Sequence, residues 1–116
     1  MVSFEEFWRR MKKEMGAWPK PNNEDRYRYS TIPKRSAAEK VSGNLSCRYA
    51  DGEDMVQYKT KNDRWASADQ TDFETLYNDW NQYSQEKLEK SRLRRDLNRR
   101  TSYTIPTLFH FEHLMH

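Results

Sequence analysis

The sequence predicts an α+β fold: an N-terminal helix, a small antiparallel sheet of three or four strands, and two or three C-terminal helices packed on one face. Three observations lead there. Large apolar residues recur at helical spacing toward both ends, at Phe4, Phe7, Trp8, Met11 and Met15 and again at Phe73, Leu76, Tyr77, Trp80 and Tyr83. Between residues 26 and 68 the repeat shortens to two and turn residues interrupt it. A chain of 116 residues suits one core, so residues 1–116 are expected to form a single domain.

The first helix is announced by Ser3 and Glu6, a capping box in which each satisfies a backbone N–H, and by Val2 and Phe7 as a hydrophobic staple. Arg9, Arg10, Lys12 and Lys13 occupy its wet side, and Gly16 is placed to end it in the left-handed conformation. "WPKPNNED" at 18–25 follows as a corner, since two prolines spaced by one residue break a helix.

Strands come next. "RYRYSTI" sets Tyr27 and Tyr29 against Arg26 and Arg28; "NLSCRY" sets Leu45, Cys47 and Tyr49 on one side. Asp51-Gly52 offers a hairpin turn, after which Val56, Tyr58 and Thr60 share a face. "KND" at 61–63 makes another turn before a short strand centred on Trp65, while residues 33–43 read as a loop or a one-turn helix. Helix returns at Thr71, which forms a second capping box with Glu74, and Asp72, Asn78 and Asp79 face water. It either continues through Leu88 or breaks near Ser84 or Ser91. The tail carries Tyr103, Ile105, Leu108, Phe109, Phe111, Leu114 and Met115, too much apolar surface to leave wet. Pro106 near its start predicts a helix over 104–113, either central to the core or meeting another chain.

Composition narrows the function classes. Only 34% of the residues are hydrophobic and 14% are aromatic, so Trp, Tyr and Phe must supply much of the core, with Tyr and Trp polar atoms needing partners. Charged residues make up 34%, yet the net charge is only +3, and the aromatics argue for a folded chain. The lone Cys47 allows no internal disulfide and no Cys-rich zinc site, which fits a reducing, cytoplasmic setting. "MVSFEEFW" lacks the basic start and apolar run of a signal peptide, and no stretch reaches the roughly 20 apolar residues of a membrane span. No membrane association is expected.

The charge is unevenly distributed. Residues 1–85 hold 14 basic and 14 acidic residues, whereas 86–100 hold seven basic against three acidic. On a helix, Arg92, Arg95 and Arg99 fall within about 60° of one another, with Leu93 and Leu97 turned away from them. Together with Lys87, Lys90 and Arg100 they form the candidate nucleic-acid-binding surface, because guanidinium forks suit phosphate oxygens at any working pH. Lys34 and Arg35 are candidate helpers. Two blander roles compete, a solvated helix face in which Asp96 quenches its neighbours, or a contact with a partner protein.

An aromatic face is the second candidate. Tyr27, Tyr29, Tyr58 and Trp65, with Tyr49, can line one side of the sheet, and rings beside arginines hold single-stranded nucleic acid by stacking. The competing role for tyrosines there is core, with each hydroxyl hydrogen-bonded.

No catalytic set is visible. His110, His113 and His116 are spaced i, i+3, i+6, so the outer two diverge by about 120° on a helix and the three cannot grip one ion. Cys47 should point with Leu45 and Tyr49 as a buried thiol without a nearby base. With three glycines in all, no phosphate-cradling loop of either common type appears, and no metal or cofactor is implied. The function expected is therefore a small non-enzymatic module contacting nucleic acid through residues 87–100. The alternative is an accessory, protein-interaction protein of the kind mobile elements carry, self-associating through its apolar tail.

Overall fold

A computed structural model describes residues 1–20, 27–34, 43–80 and 101–116. Its elements are α1 (Phe4–Met15), β1 (Tyr29–Pro33), β2 (Asn44–Ala50), β3 (Met55–Lys59), β4 (Trp65–Ala68), α2 (Gln70–Asn78) and α3 (Thr101–His110). A short 3-10 turn follows at Glu112–Leu114. The strands form an antiparallel meander in the order β1-β2-β3-β4. The arrangement is α+β, as the spacing predicts.

In α1, Ser3 accepts a hydrogen bond from the Glu6 amide at 3.2 Å, half of the expected box. The Glu6 carboxylate turns instead to Arg9 and Arg10, which hold it down at about pKa 2. Gly16 departs from expectation: its φ of −66° is right-handed. The chain tightens rather than reversing there, and the amides of Ala17 and Trp18 close onto the carbonyls of Glu14 and Met15 at 3.1 and 3.2 Å.

The β2–β3 connection also differs from a two-residue Asp-Gly turn. Residues 51–53 form a 3-10 turn, and the left-handed position falls on Asp54, with φ 52°. Aspartate tolerates that region because its short side chain can bond locally. Asp63, with φ 60°, does the same in the β3–β4 turn.

The cap of α2 lies two residues before the expected one. Asp69 Oδ1 accepts from the Asp72 amide at 3.1 Å, and Asp72 Oδ2 accepts in turn from the Asp69 amide at 2.9 Å. Phe73, Leu76, Tyr77 and Trp80 are buried as their spacing requires, while Tyr83 lies outside the described residues. α3 starts at Thr101, three residues earlier than expected, which leaves Pro106 inside the helix. Ile105, Leu108, Phe111 and Met115 are buried against the chain's own core, the first of the two roles open to the tail.

The three described helices pack on one side of the sheet, against Ile32, Leu45, Cys47, Val56, Tyr58 and Ala68. The core is aromatic, and the polar atoms of its Trp80, Tyr77 and Tyr58 side chains find partners. Trp80 Nε1 donates to Glu112 Oε2 at 2.9 Å, Tyr77 Oη to the Val2 carbonyl at 2.6 Å, and Tyr58 Oη pairs with Thr107 Oγ1 at 2.6 Å. The chain ends are tied together: the Val2 amide donates to the Met115 carbonyl at 2.7 Å, and Arg10 to the carbonyls of Leu114 and His116 at 3.2 and 2.8 Å. Among the described residues no helix is long and apolar enough to cross a membrane.

Candidate functional site

Strand register decides what faces away from the helices. Tyr29 lies opposite Arg48, Arg48 opposite Gln57, and Gln57 opposite Ser67, a row across all four strands. Lys59 opposite Trp65 belongs to the next row. Side chains alternate along a strand, so these residues sit on the face that Cys47 and Tyr58 do not share.

Arg48 is the centre of that face. Its Nε donates to Gln57 Oε1 at 2.8 Å, and Gln57 Nε2 donates onward to Ser67 Oγ at 3.1 Å. Its guanidinium carbon stands 4.2 Å from the centroid of the Tyr27 ring and 3.8 Å from that of Trp65. Trp65 also meets Tyr29 edge-on, with centroids 6.0 Å apart. A guanidinium suits such a place, because its weakly hydrated plane stacks on rings while its edge still carries donors. Burial lowers the Arg48 pKa, opposed by the neighbouring Tyr27 and Tyr29, and the group remains a cation. Among the described residues its two terminal nitrogens have no hydrogen-bond or ion-pair partner.

Tyr27, Tyr29 and Trp65 are thus brought together, but Tyr58 is not with them. It lies on the opposite face, fully buried between Cys47 and Ala66 in the ladder and stacked on Tyr103 at 5.0 Å. A four-ring face would require Tyr58 and Trp65 to have the same parity, and the β3–β4 register pairs Tyr58 with Ala66 instead. Burial raises the Tyr58 pKa well above that of a free tyrosine. Tyr49 points to the core side as well, beside Trp8, and donates its hydroxyl to Asp54.

Lys87, Lys90, Arg92, Arg95, Arg99 and Arg100 lie outside the described residues, as does Arg35; Lys34 is exposed at the end of β1. Sequence reasoning missed Arg48. Its signal was parity: it is the one charged residue on the side of β2 opposite to Leu45 and Cys47.

Among the described residues the other titratable groups form no reactive set. Burial pushes the Cys47 thiol far up, which keeps it protonated and inert. His110 packs edge-on to Trp18 and Phe111, and His113 Nε2 is 3.8 Å from Glu14 Oε1. Among the described residues no three His, Cys, Asp or Glu side chains converge. No protein-family model, curated protein or solved structure matches the chain.

Proposed function

We propose that the protein is a non-enzymatic module that binds single-stranded nucleic acid across the outer face of its sheet, with residues 87–100 supplying further phosphate contacts. The supporting observation is Arg48, held by Gln57 and by two rings with its terminal donors directed to no other described residue. A guanidinium ordered before binding loses less side-chain entropy when a phosphate arrives. Tyr29 and Trp65 beside it offer planar surfaces for bases, which stack with little regard to sequence. The excess of four positive charges over residues 86–100 adds the salt-dependent part of the affinity.

Fluorescence anisotropy with labelled single-stranded DNA and RNA oligonucleotides at low and moderate salt tests this. The Arg48→Ala and Trp65→Ala changes together should weaken binding by about two kcal/mol or more, as loss of a stacked base does. Arg92→Ala, Arg95→Ala and Arg99→Ala should instead flatten the dependence of affinity on salt. Absence of binding to either nucleic acid at low salt would rule the proposal out and leave the same face as a protein-binding surface.

A further inference from the structure

A cavity of about 620 Å³ opens between the C-terminal half of α1 and the sheet. Lys12 reaches it from α1, Lys20 from the connector, Arg28 from the residue before β1, and Tyr27 and Tyr49 supply two rings. Its size falls in the roughly 300–1,000 Å³ range of small-molecule sites. Tyr27 is shared with the Arg48 cluster, so the cavity adjoins the outer face of the sheet.

The cations are unequally committed. Lys12 Nζ lies 3.5 Å from Asp54 Oδ1, a carboxylate that also receives Trp8, Tyr49 and Gln70. Among the described residues Arg28 is positioned by a single bond, from Nη1 to the Trp18 carbonyl at 3.0 Å. Among the described residues neither Arg28 nor Lys20 has an acidic partner. Among the described residues, three cations line the cavity and one carboxylate pairs with them, which leaves two positive charges around a shared space. A phosphate monoester carries nearly two negative charges and three acceptor oxygens. Two tyrosines in the same lining favour a ligand in which that phosphate is joined to a flat group.

We infer that this cavity binds a nucleoside monophosphate, with Lys20 and Arg28 on the phosphate and the tyrosine rings against the base. The site goes beyond strand binding on the sheet, since it takes a free mononucleotide and uses none of Arg48, Trp65 or residues 87–100.

Isothermal titration of the full chain with adenosine monophosphate, and separately with inorganic phosphate, tests the inference at low salt. Wild type should bind the nucleotide at least fivefold more tightly than phosphate. Lys20→Glu with Arg28→Glu should weaken nucleotide binding at least tenfold, and Lys20→Glu alone severalfold, with the far-ultraviolet circular dichroism unchanged. Lys13→Glu, on a different side of α1, serves as the control and should leave affinity intact. No saturable nucleotide binding, or an equal loss in the Lys13 variant, overturns the site; phosphate binding as tightly as the nucleotide overturns the role of the rings. The two readings fail separately: strand binding without mononucleotide binding refutes the cavity alone, and mononucleotide binding without strand binding refutes the sheet face alone.

Discussion

The indole of Trp8 donates from Nε1 to Asp54 Oδ1 at 3.1 Å, joining residues 46 apart in sequence. The same carboxylate accepts from Tyr49 and Gln70 and pairs with Lys12. One left-handed turn residue therefore fastens α1, β2 and the start of α2 to the β2–β3 corner. Asp54→Ala removes every acceptor at once and leaves the part-buried indole N–H without a partner. A loss of about 2 kcal/mol is expected in urea denaturation, with Asp54→Asn costing less because it keeps one acceptor and tolerates positive φ.

The same residue sets a pH dependence. Hydrogen bonds from Tyr49 oppose the effect of burial and, with Trp8, Gln70 and Lys12, hold the Asp54 carboxyl at about pKa 2, below its ordinary 3.8. A depressed carboxylate stabilises the fold fully above its unfolded pKa, and the contribution is lost as pH falls through the folded value. Stability should therefore drop between about pH 4 and pH 2, by on the order of 1 kcal/mol from Asp54 once solvent screening of this partly exposed group is allowed for. Chemical denaturation across that window should show a shallower slope for Asp54→Asn than for wild type.

Two threonines in one helix should respond oppositely to the same change. Thr104 and Thr107 are both fully buried in α3. Thr107 Oγ1 pairs with Tyr58 Oη and donates to the Tyr103 carbonyl at 2.8 Å, whereas among the described residues Thr104 Oγ1 has no hydrogen-bond partner. Valine has nearly the same shape without the hydroxyl. Thr107→Val should destabilise by about 1–2 kcal/mol by orphaning the tyrosine hydroxyl, and Thr104→Val should stabilise by about 1 kcal/mol. Thermal melts of the two variants give the comparison directly. Equal destabilisation by both would show that the Thr104 hydroxyl is satisfied in solution.

Cys47 should be silent toward thiol reagents in the folded protein. It is completely buried in β2, and burial alone drives its pKa up, so thiolate is scarce and access is closed. Labelling with a disulfide reagent at neutral pH should proceed only through opening of the sheet, with protection that disappears across the urea transition. Fast labelling without denaturant would contradict the burial.

Much of the architecture was legible in the linear pattern. Phe4, Phe7, Trp8, Met11 and Met15 line one stripe of a 3.6-residue repeat, and all five are buried. Leu45 and Cys47, or Val56 and Tyr58, alternate as strand residues must, and those pairs are buried too. Element ends were less legible, because several acids near residue 70 compete for one cap and the choice of Asp69 over Thr71 depends on where β4 stops. The arginine-rich stretch was conspicuous as composition, but its residues lie outside those described.

Local chemistry along the chain settled that there would be helices at the two ends, alternating strands between them and an aromatic core, since periodicity and hydrogen-bonding needs act over a few neighbouring residues. Which rings would meet was decided elsewhere. Tyr58 and Trp65 look alike as aromatic strand residues, yet pairing places Tyr58 against Cys47 and Ala66 in the core and Trp65 over Arg48 outside. A shift of one residue in register reverses every side chain of a strand, and register is fixed only when strands distant in sequence and the helices behind them pack together.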